Sequence, residues 1–407
     1  MQYVIIGNST AATFAIEGIR AIDRAGSITV ISDETRPAYG RPLISYYLYG
    51  RIRLENTAYR PASFYTDNGV TLKYGVRAEK IDPKKKTVAL SDGSTIGYDK
   101  LLVATGSSPL VPPADGLDAV KYHTFMTMDA ALALEKELSP EKRVLVVGAG
   151  LIGLKCVEGI LDRVGSVTVV DLAARILPSI LDEEGSAIVQ ERLEARGVNF
   201  VLGDCAVRYA PGLATLRSGK EVPFDILVIA AGVRPNVSLV REAGGEVNRG
   251  IVVNDRQETT IPDVYAAGDN CESYDICSGT RRILALLPNA AFQGETAGRN
   301  MAGGDAAFDK AAPFNALGLF DTHIATAGVY EGEAYTDLSE GYKKLFVKDN
   351  KLVGFILIDC IGRAGIYTSL IREQTPLTTV DFELLKKNPA LMAFARGTRE
   401  EYLTRRR

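Results

Sequence analysis

The sequence predicts an α/β fold: two Rossmann-like dinucleotide-binding units and a smaller C-terminal α+β portion. Three observations predict it. Residues Arg143-Val144-Leu145-Val146-Val147-Gly148-Ala149-Gly150-Leu151-Ile152-Gly153 form an apolar run that ends in Gly-x-Gly-x-x-Gly. The opening stretch, Tyr3 to Ala12, repeats that strand–turn–helix grammar in a less regular form. From about Asn315 the pattern changes to antiparallel pairing, with Tyr342–Val347 and Leu352–Ile358 flanking a turn at Asp349-Asn350 and a helix from Ala364 to Arg372.

The bulk properties set limits. A chain of 407 residues has room for two or three domains. With 46% hydrophobic and 24% charged residues it folds as an ordinary globular protein. A formal net charge of −3 gives no electrostatic reason to expect nucleic acid or an anionic membrane as partner. No apolar run is as long as a membrane span, since the candidate from Val144 to Leu154 is glycine-rich and ends at Lys155. The chain opens directly on a strand with no signal-peptide pattern, so a cytoplasmic location is expected. The five cysteines (Cys156, Cys205, Cys271, Cys277, Cys360) are odd in number and form no Cys-x-x-Cys pair, which fits reduced thiols. Cys271 and Cys277 are close in sequence, but no ligand cluster accompanies them, so no metal site is expected.

In chain order, Tyr3–Ile6 reads as a strand, Gly7-Asn8-Ser9-Thr10-Ala11-Ala12 as a phosphate loop, and the helix runs to about Arg24. Ser9 stands where a glycine would bring phosphate closest, and it can also cap the helix. Ser27–Ser32 is the next strand, followed by Asp33 and Glu34. Pro37 to Leu48 reads as an aromatic-rich turn in which Arg41 either packs at the surface or borders a cofactor ring. Val70 to Leu90 alternates, with a hairpin turn at Asp92-Gly93. Tyr98 to Gly106 is a buried strand with a small-residue end, and Pro109, Pro112 and Pro113 mark a crossover.

In the second unit, the glycines permit a sharp turn, close approach of a pyrophosphate, and tight helix–strand packing. The phosphates then face the unsatisfied N–H groups of the new helix. Val167–Val170 is the following strand. Asp171 ends it at the ~20-residue spacing suited to a ribose hydroxyl. Phe224 to Asn236 repeats the apolar-then-small ending at Ala231-Gly232, which suggests two homologous units. Val264 to Asp269 is another strand ending in small residues and a carboxylate, and Leu287-Pro288-Asn289-Ala290 starts a helix. Arg405, Arg406 and Arg407 read as a solvated end.

These residues together resemble the FAD-dependent pyridine-nucleotide oxidoreductases of glutathione-reductase-like fold. Within them the chain is most similar to the group of NADH:rubredoxin and ferredoxin reductases, NADH oxidases and the flavoprotein part of nitrite reductase. The resemblance covers nearly all of residues 1 to 350. It implies an NAD domain (113–245) inserted in an FAD domain (1–112 and 246–312), followed by an interface or docking domain (313–407). It implies an FAD site of Gly7, Ser9, Thr10, Ala11, Ala12, Asp33, Glu34, Arg41, Ala78, Ala104, Thr105, Gly106, Gly268, Asp269, Leu287 and Asn289. Asp269 would hold the ribityl chain, and the helix from Leu287 would face the pyrimidine end of the flavin, where its dipole favours negative charge. The NAD site would be Gly148, Gly150, Leu151, Ile152, Gly153, Asp171, Ala231 and Gly232. Asp171 would repel a 2′-phosphate, and Leu172 to Ala174 offer no cation, so NAD is expected over NADP despite Arg175.

The chain departs from the family pattern in four places. Residues 40–50 contain no cysteine, with Ser45 and Tyr46 in that stretch, so no thiol relay is expected. Tyr46 stands where the ferredoxin-reductase group carries lysine. Lys155 stands where a glutamate commonly reaches the nicotinamide, and it either takes that role or turns to solvent. The histidine of the disulfide reductases has no counterpart, and neither His123 nor His323 is expected to be catalytic. No residue is assigned chemistry with certainty, and Arg41, Tyr46 and Lys155 are the flavin-adjacent candidates. The resemblance implies hydride transfer from NADH to the flavin, mostly by positioning. Electrons would then pass directly to an iron–sulfur or rubredoxin-like partner. It extends to flavoprotein subunits of larger redox enzymes, such as the FAD subunit of tungsten-dependent aldehyde oxidoreductases, with the stretch after Asp359 as a docking surface. The alternatives are an oxygen-using NADH oxidase and a non-catalytic flavin-binding sensor or scaffold.

Overall fold

In a computed structural model, which describes Met1–Thr404, both Rossmann-like units are built on five-stranded parallel sheets. Arg405, Arg406 and Arg407, read above as a solvated end, lie outside the described residues. The first sheet runs in the order Val264–Ala266, Lys100–Val103, Gln2–Ile6, Ser27–Ser32, Val70–Tyr74. Its central strands are continuous apolar runs because helices cover them, and Val4, Ile5, Leu101 and Leu102 are fully buried. The second sheet runs Val198–Leu202, Ser166–Asp171, Arg143–Val147, Ile226–Ile229, His123–Thr124. The last strand of the first sheet follows the whole second sheet in sequence, so the second unit is inserted in the first.

The internal repeat is visible atom by atom. Gly7 donates its N–H to Ile31 O, and Gly148 donates to Val170 O, both at 2.8 Å. Both glycines are left-handed, with φ of 109° and 119°. A Cβ on Gly7 would overlap the Ala104 carbonyl, and one on Gly148 the Ala230 carbonyl. Each unit also carries a three-stranded antiparallel meander, Ala78–Asp82, Thr87–Leu90, Thr95–Gly97 ahead of Lys100–Val103 in one, and Ala206–Ala210, Leu213–Leu216, Glu221–Pro223 ahead of Ile226–Ile229 in the other. The expected turn at Asp92-Gly93 joins the last two strands of the first meander.

The structure departs from the sequence reading in two local ways. The first helix is Thr10–Arg20 and ends before Arg24. Leu43–Leu48, read as part of a turn, is a short helix, because Ile44, Ser45 and Leu48 bury one face of it.

The chain separates into two compact units. One contains both parallel sheets. The other gathers residues 175–196, 275–279 and 312–407. The second is built on an antiparallel sheet in the order Phe314–Leu319, Thr322–Gly328, Lys351–Ile358, Tyr342–Lys348, Glu333–Asp337, with the helix Ala364–Arg372 against it. Residues 175–196 join this unit through ionic contacts: Lys344 Nζ lies 2.8 Å from Asp182 and 2.9 Å from Glu184, and Tyr342 donates to both carboxylates. Among the described residues, no helix is long and apolar enough to cross a membrane.

Candidate functional site

A cavity of about 580 Å³ opens at the carboxyl ends of the first sheet, within the roughly 300–1,000 Å³ of small-molecule sites. Strand order reverses about Gln2–Ile6, and such a switch point leaves a crevice for a ligand. Of the first-unit residues singled out in the sequence, the cavity is lined by Gly7, Ser9, Thr10, Ala11, Asp33, Glu34, Arg41, Ala78, Ala104, Thr105, Gly106, Gly268, Asp269 and Leu287. Ala12 and Asn289 do not line it; both are buried in the packing behind. Asn8 of the phosphate loop lines it as well, and the sequence reading missed Arg77, Ser107, Met126 and Asn236, which also line the wall. Asn236 had a signal, since it ends the second small-residue motif, but only the fold carries it to the first unit.

The donor set suits an extended phosphate-bearing ligand. Two helices, Thr10–Arg20 and Leu287–Met301, begin at the cavity wall, so their first-turn N–H groups face it. Ser9 holds the N-cap position of the first helix, but its side chain makes no capping bond, so the capping role open to it in the sequence is not used. The backbone there is extended and the N–H groups are left for an anion. Arg41 donates to Glu34 Oε1 and to Met126 O, both at 2.6 Å. Glu34 also accepts from Tyr39 at 2.6 Å, so both of its oxygens are engaged and Asp33 is the less encumbered acid for a ribose.

Burial pushes the Asp269 carboxyl above the ordinary aspartate range, and the Arg41 guanidinium opposes this. A raised folded pKa means that the ionised form is penalised in the ligand-free fold. The contribution is present below the unfolded pKa and is lost as pH rises through the folded one. Asp269→Asn is therefore expected to raise the Tm of the cofactor-free protein at neutral pH and leave it unchanged near pH ~3, below both pKa values. Thermal melts across pH check this; a lower Tm at pH 7 would contradict it.

In the second unit, Gly150 is the N-cap of the helix Leu151–Ile160, and a Cβ built on it would meet open space. Asp171 Oδ2 accepts from Ala149 N at 2.5 Å, and Oδ1 accepts from Ala173 N at 2.7 Å. The carboxylate thus ties the glycine loop to its own strand end, and each oxygen keeps a lone pair for a ribose hydroxyl. Arg175, the nearest following cation, groups with the other compact unit.

Lys155 does not turn to solvent. Its side chain is 17% exposed, it is bonded to the wholly buried Glu158, and its Nζ lies 4.2 Å from the Tyr46 ring centroid. Burial pushes its pKa down, and Glu158 opposes that shift. Neither Lys155 nor Tyr46 lines the cavity. They join the helices Leu43–Leu48 and Leu151–Ile160, which pack closely where a Cβ on Gly159 would sit 3.1 Å from Leu48 Cβ. Lys155→Met removes the counter-charge of a buried carboxylate and is expected to cost about 3 kcal/mol in chemical denaturation. Adding Glu158→Gln is expected to recover most of it, and a double variant no more stable than the single one would contradict the pairing.

Two nucleotide loops in one chain, one beside a long cavity with two helix N-termini, define an FAD-dependent NAD(P)H oxidoreductase. The chain belongs to the pyridine nucleotide-disulphide oxidoreductase family, whose model matches residues 1–294. It is 32% identical over 391 residues to the epsilon subunit of NADH-dependent phenylglyoxylate dehydrogenase from Aromatoleum evansii, covering 93% of each chain. It is 31% identical to the assimilatory nitrate reductase electron transfer subunit of Bacillus subtilis (strain 168), covering 92% of this chain but 49% of that one, so it spans about half of that relative. The fold is that of the reductase in a crystal structure of the covalent putidaredoxin reductase–putidaredoxin complex, with TM-score 0.87, 24% identity, and coverage of 96% of this chain and 97% of that one. FAD and NAD are its cofactors.

Proposed function

We propose that the chain is a flavoprotein subunit that passes electrons from NADH through FAD to an iron–sulfur or rubredoxin-like protein. In this reading residues 1–112 and 246–312 hold FAD, residues 113–245 bind NADH, and residues 313–407 form the docking portion. The observation that carries it is that, among the described residues, no cysteine lines the cavity. Residues 40–50 contain no cysteine. Cys271 is fully buried, with Sγ 3.4 Å from Gly268 O, and burial pushes its thiol pKa far up, so it is inert. Electrons then leave without a thiol relay. Two relatives are named as redox-complex subunits, which supports an assembly.

FAD held in this cavity would supply the hydride acceptor and the two-electron to one-electron conversion. The protein's part is to bind and orient. Gly7 to Ala11 and the first helix hold the pyrophosphate, Asp33 takes the adenosine ribose, and Ala78 lines the same cavity. Asp269 accepts from the ribityl chain and Arg41 balances its charge. The helix starting at Leu287 favours negative charge at the flavin's pyrimidine end. Gly148 to Gly153 hold the NADH pyrophosphate, with Asp171 on the ribose, Ala231-Gly232 beside it, and Tyr46 and Lys155 between the two helices that start near the two sites. A cytoplasmic location completes the reading.

The test is anaerobic titration of the FAD-loaded protein with NADH, followed by addition of a rubredoxin, a ferredoxin or air. Bleaching by NADH and fast reoxidation by an iron–sulfur protein are expected. Reoxidation by oxygen alone would instead point to an oxidase, and a flavin that NADH never bleaches would point to a sensor. Affinity isolation of the native protein identifies the partner, including a tungsten-dependent enzyme.

A further inference from the structure

The passage between the two Rossmann units is a pair of crossing strands locked by one side chain. Ser107–Pro109 leaves the first unit, Val233–Pro235 returns to it, and the two pair antiparallel. Leu110 N donates to Gly232 O, and Asn236 N donates to Gly106 O, each at 2.9 Å. The two glycines that begin these crossings, Gly106 and Gly232, are left-handed (φ 60° and 119°), and added Cβ atoms there would meet nothing within 4 Å. On the side-chain side, both positions face open space and are held by backbone bonds alone.

Asn236 supplies the side-chain restraint. Its Nδ2 donates to Thr105 O at 2.9 Å, its Oδ1 accepts from Ser108 Oγ at 2.8 Å, and its carbonyl accepts from Thr105 Oγ1 at 2.9 Å. The chain of bonds continues inward, because Asn270 Nδ2 donates to Thr105 Oγ1 and to Val103 O, each at 3.0 Å. Asn270 is fully buried and directly follows Asp269. Thr105, Ser108, Asn236 and Asp269 all line the cavity. One continuous hydrogen-bonded path thus runs from Asn270, the residue after Asp269, to the strand that carries the second unit back.

We propose that Asn236 is a positioning residue that fixes how the NADH unit is presented to the cavity, through the Asn270–Thr105–Asn236–Ser108 path. The proposal rests on the reading that the first unit holds FAD and the second NADH. A residue of this kind acts on the relative placement of two bound groups rather than on the binding of either. Placement errors on the order of 1 Å can cost about 100-fold in rate.

The test compares wild type, Asn236→Ala and the gentler Ser108→Ala, each loaded with FAD, by single-turnover flavin bleaching with NADH, by calorimetric titration with ADP-ribose, and by hydrogen exchange. Each variant is expected to keep its FAD and bind ADP-ribose within about 3-fold of wild type. The bleaching rate is expected to fall about 10- to 100-fold, with faster exchange in 107–109 and 233–235. The double variant is expected to be no slower than the slower single one, because both break one path. Unchanged bleaching in both variants would overturn the proposal, as would a fall explained wholly by lost FAD. A wild-type protein that binds neither FAD nor ADP-ribose would overturn the underlying reading instead.

Discussion

Gly153→Ala is expected to weaken NADH binding about 10- to 100-fold while FAD stays bound. A Cβ there would overlap the Gly148 carbonyl oxygen and lie 3.6 Å from Ala230 Cβ. The Ala230 distance is ordinary contact, but the Gly148 carbonyl cannot yield, because Gly148 N is bonded to Val170 O and Ala149 N to Asp171. The added methyl has to push the helix Leu151–Ile160 away from its strand, and overpacking of this kind costs about 1–3 kcal/mol. Ligand-free protein relaxes by opening the loop, so the cost falls on the state that grips the pyrophosphate. Each 1.4 kcal/mol is about tenfold in affinity. NADH titration of the bleached fraction, with FAD content measured alongside, checks this; an unchanged half-saturation would show that the loop does not hold the nucleotide.

Gly298→Val is expected to lower stability by about 3 kcal/mol or more and to release FAD. The helices Thr10–Arg20 and Leu287–Met301 cross with backbone nearly touching backbone. Added Cβ atoms on Gly294 and Gly298 would overlap the carbonyls of Ala11 and Ala15, and one on Gly18 would lie 2.5 Å from Glu295 O. These two helices carry the two N-termini that face the cavity. Separating them moves both anion-binding ends at once, so loss of FAD accompanies loss of stability. Denaturant melts and the flavin absorbance of the purified protein test the pair of effects. A variant that unfolds like wild type and purifies yellow would show that the crossing has slack.

Most of the first-unit cavity was legible in the sequence for a simple reason. The phosphate loop, the acid after Ser27–Ser32, and the small-residue endings of Tyr98–Gly106 and Val264–Asp269 are each local signals: an apolar run of strand length, then residues small enough for a ligand to reach backbone. A parallel sheet brings the carboxyl ends of its strands to one edge, so separate local signals converge without further instruction. Ala12 and Asn289 did not converge, because a helix turns successive side chains away from the surface its N-terminus faces. Leu43–Leu48 was hidden because a six-residue helix has too little periodicity to distinguish from an aromatic turn, and what makes it helical is burial of Ile44, Ser45 and Leu48.

Lys155 and Asn236 mark the boundary. The sequence by itself determined two nucleotide loops, the acids and small residues that serve them, and the lack of a cysteine at residues 40–50, because each depends on residue type at short spacing. Only the tertiary structure decided that Lys155 turns inward onto Tyr46 and Glu158, and that Asn236 closes a bonded path to the residue beside Asp269. Apart from the Lys155–Glu158 pair, which is one helical turn apart, those contacts join residues more than a hundred positions apart, and a side chain's partner at that distance is set by how whole elements pack.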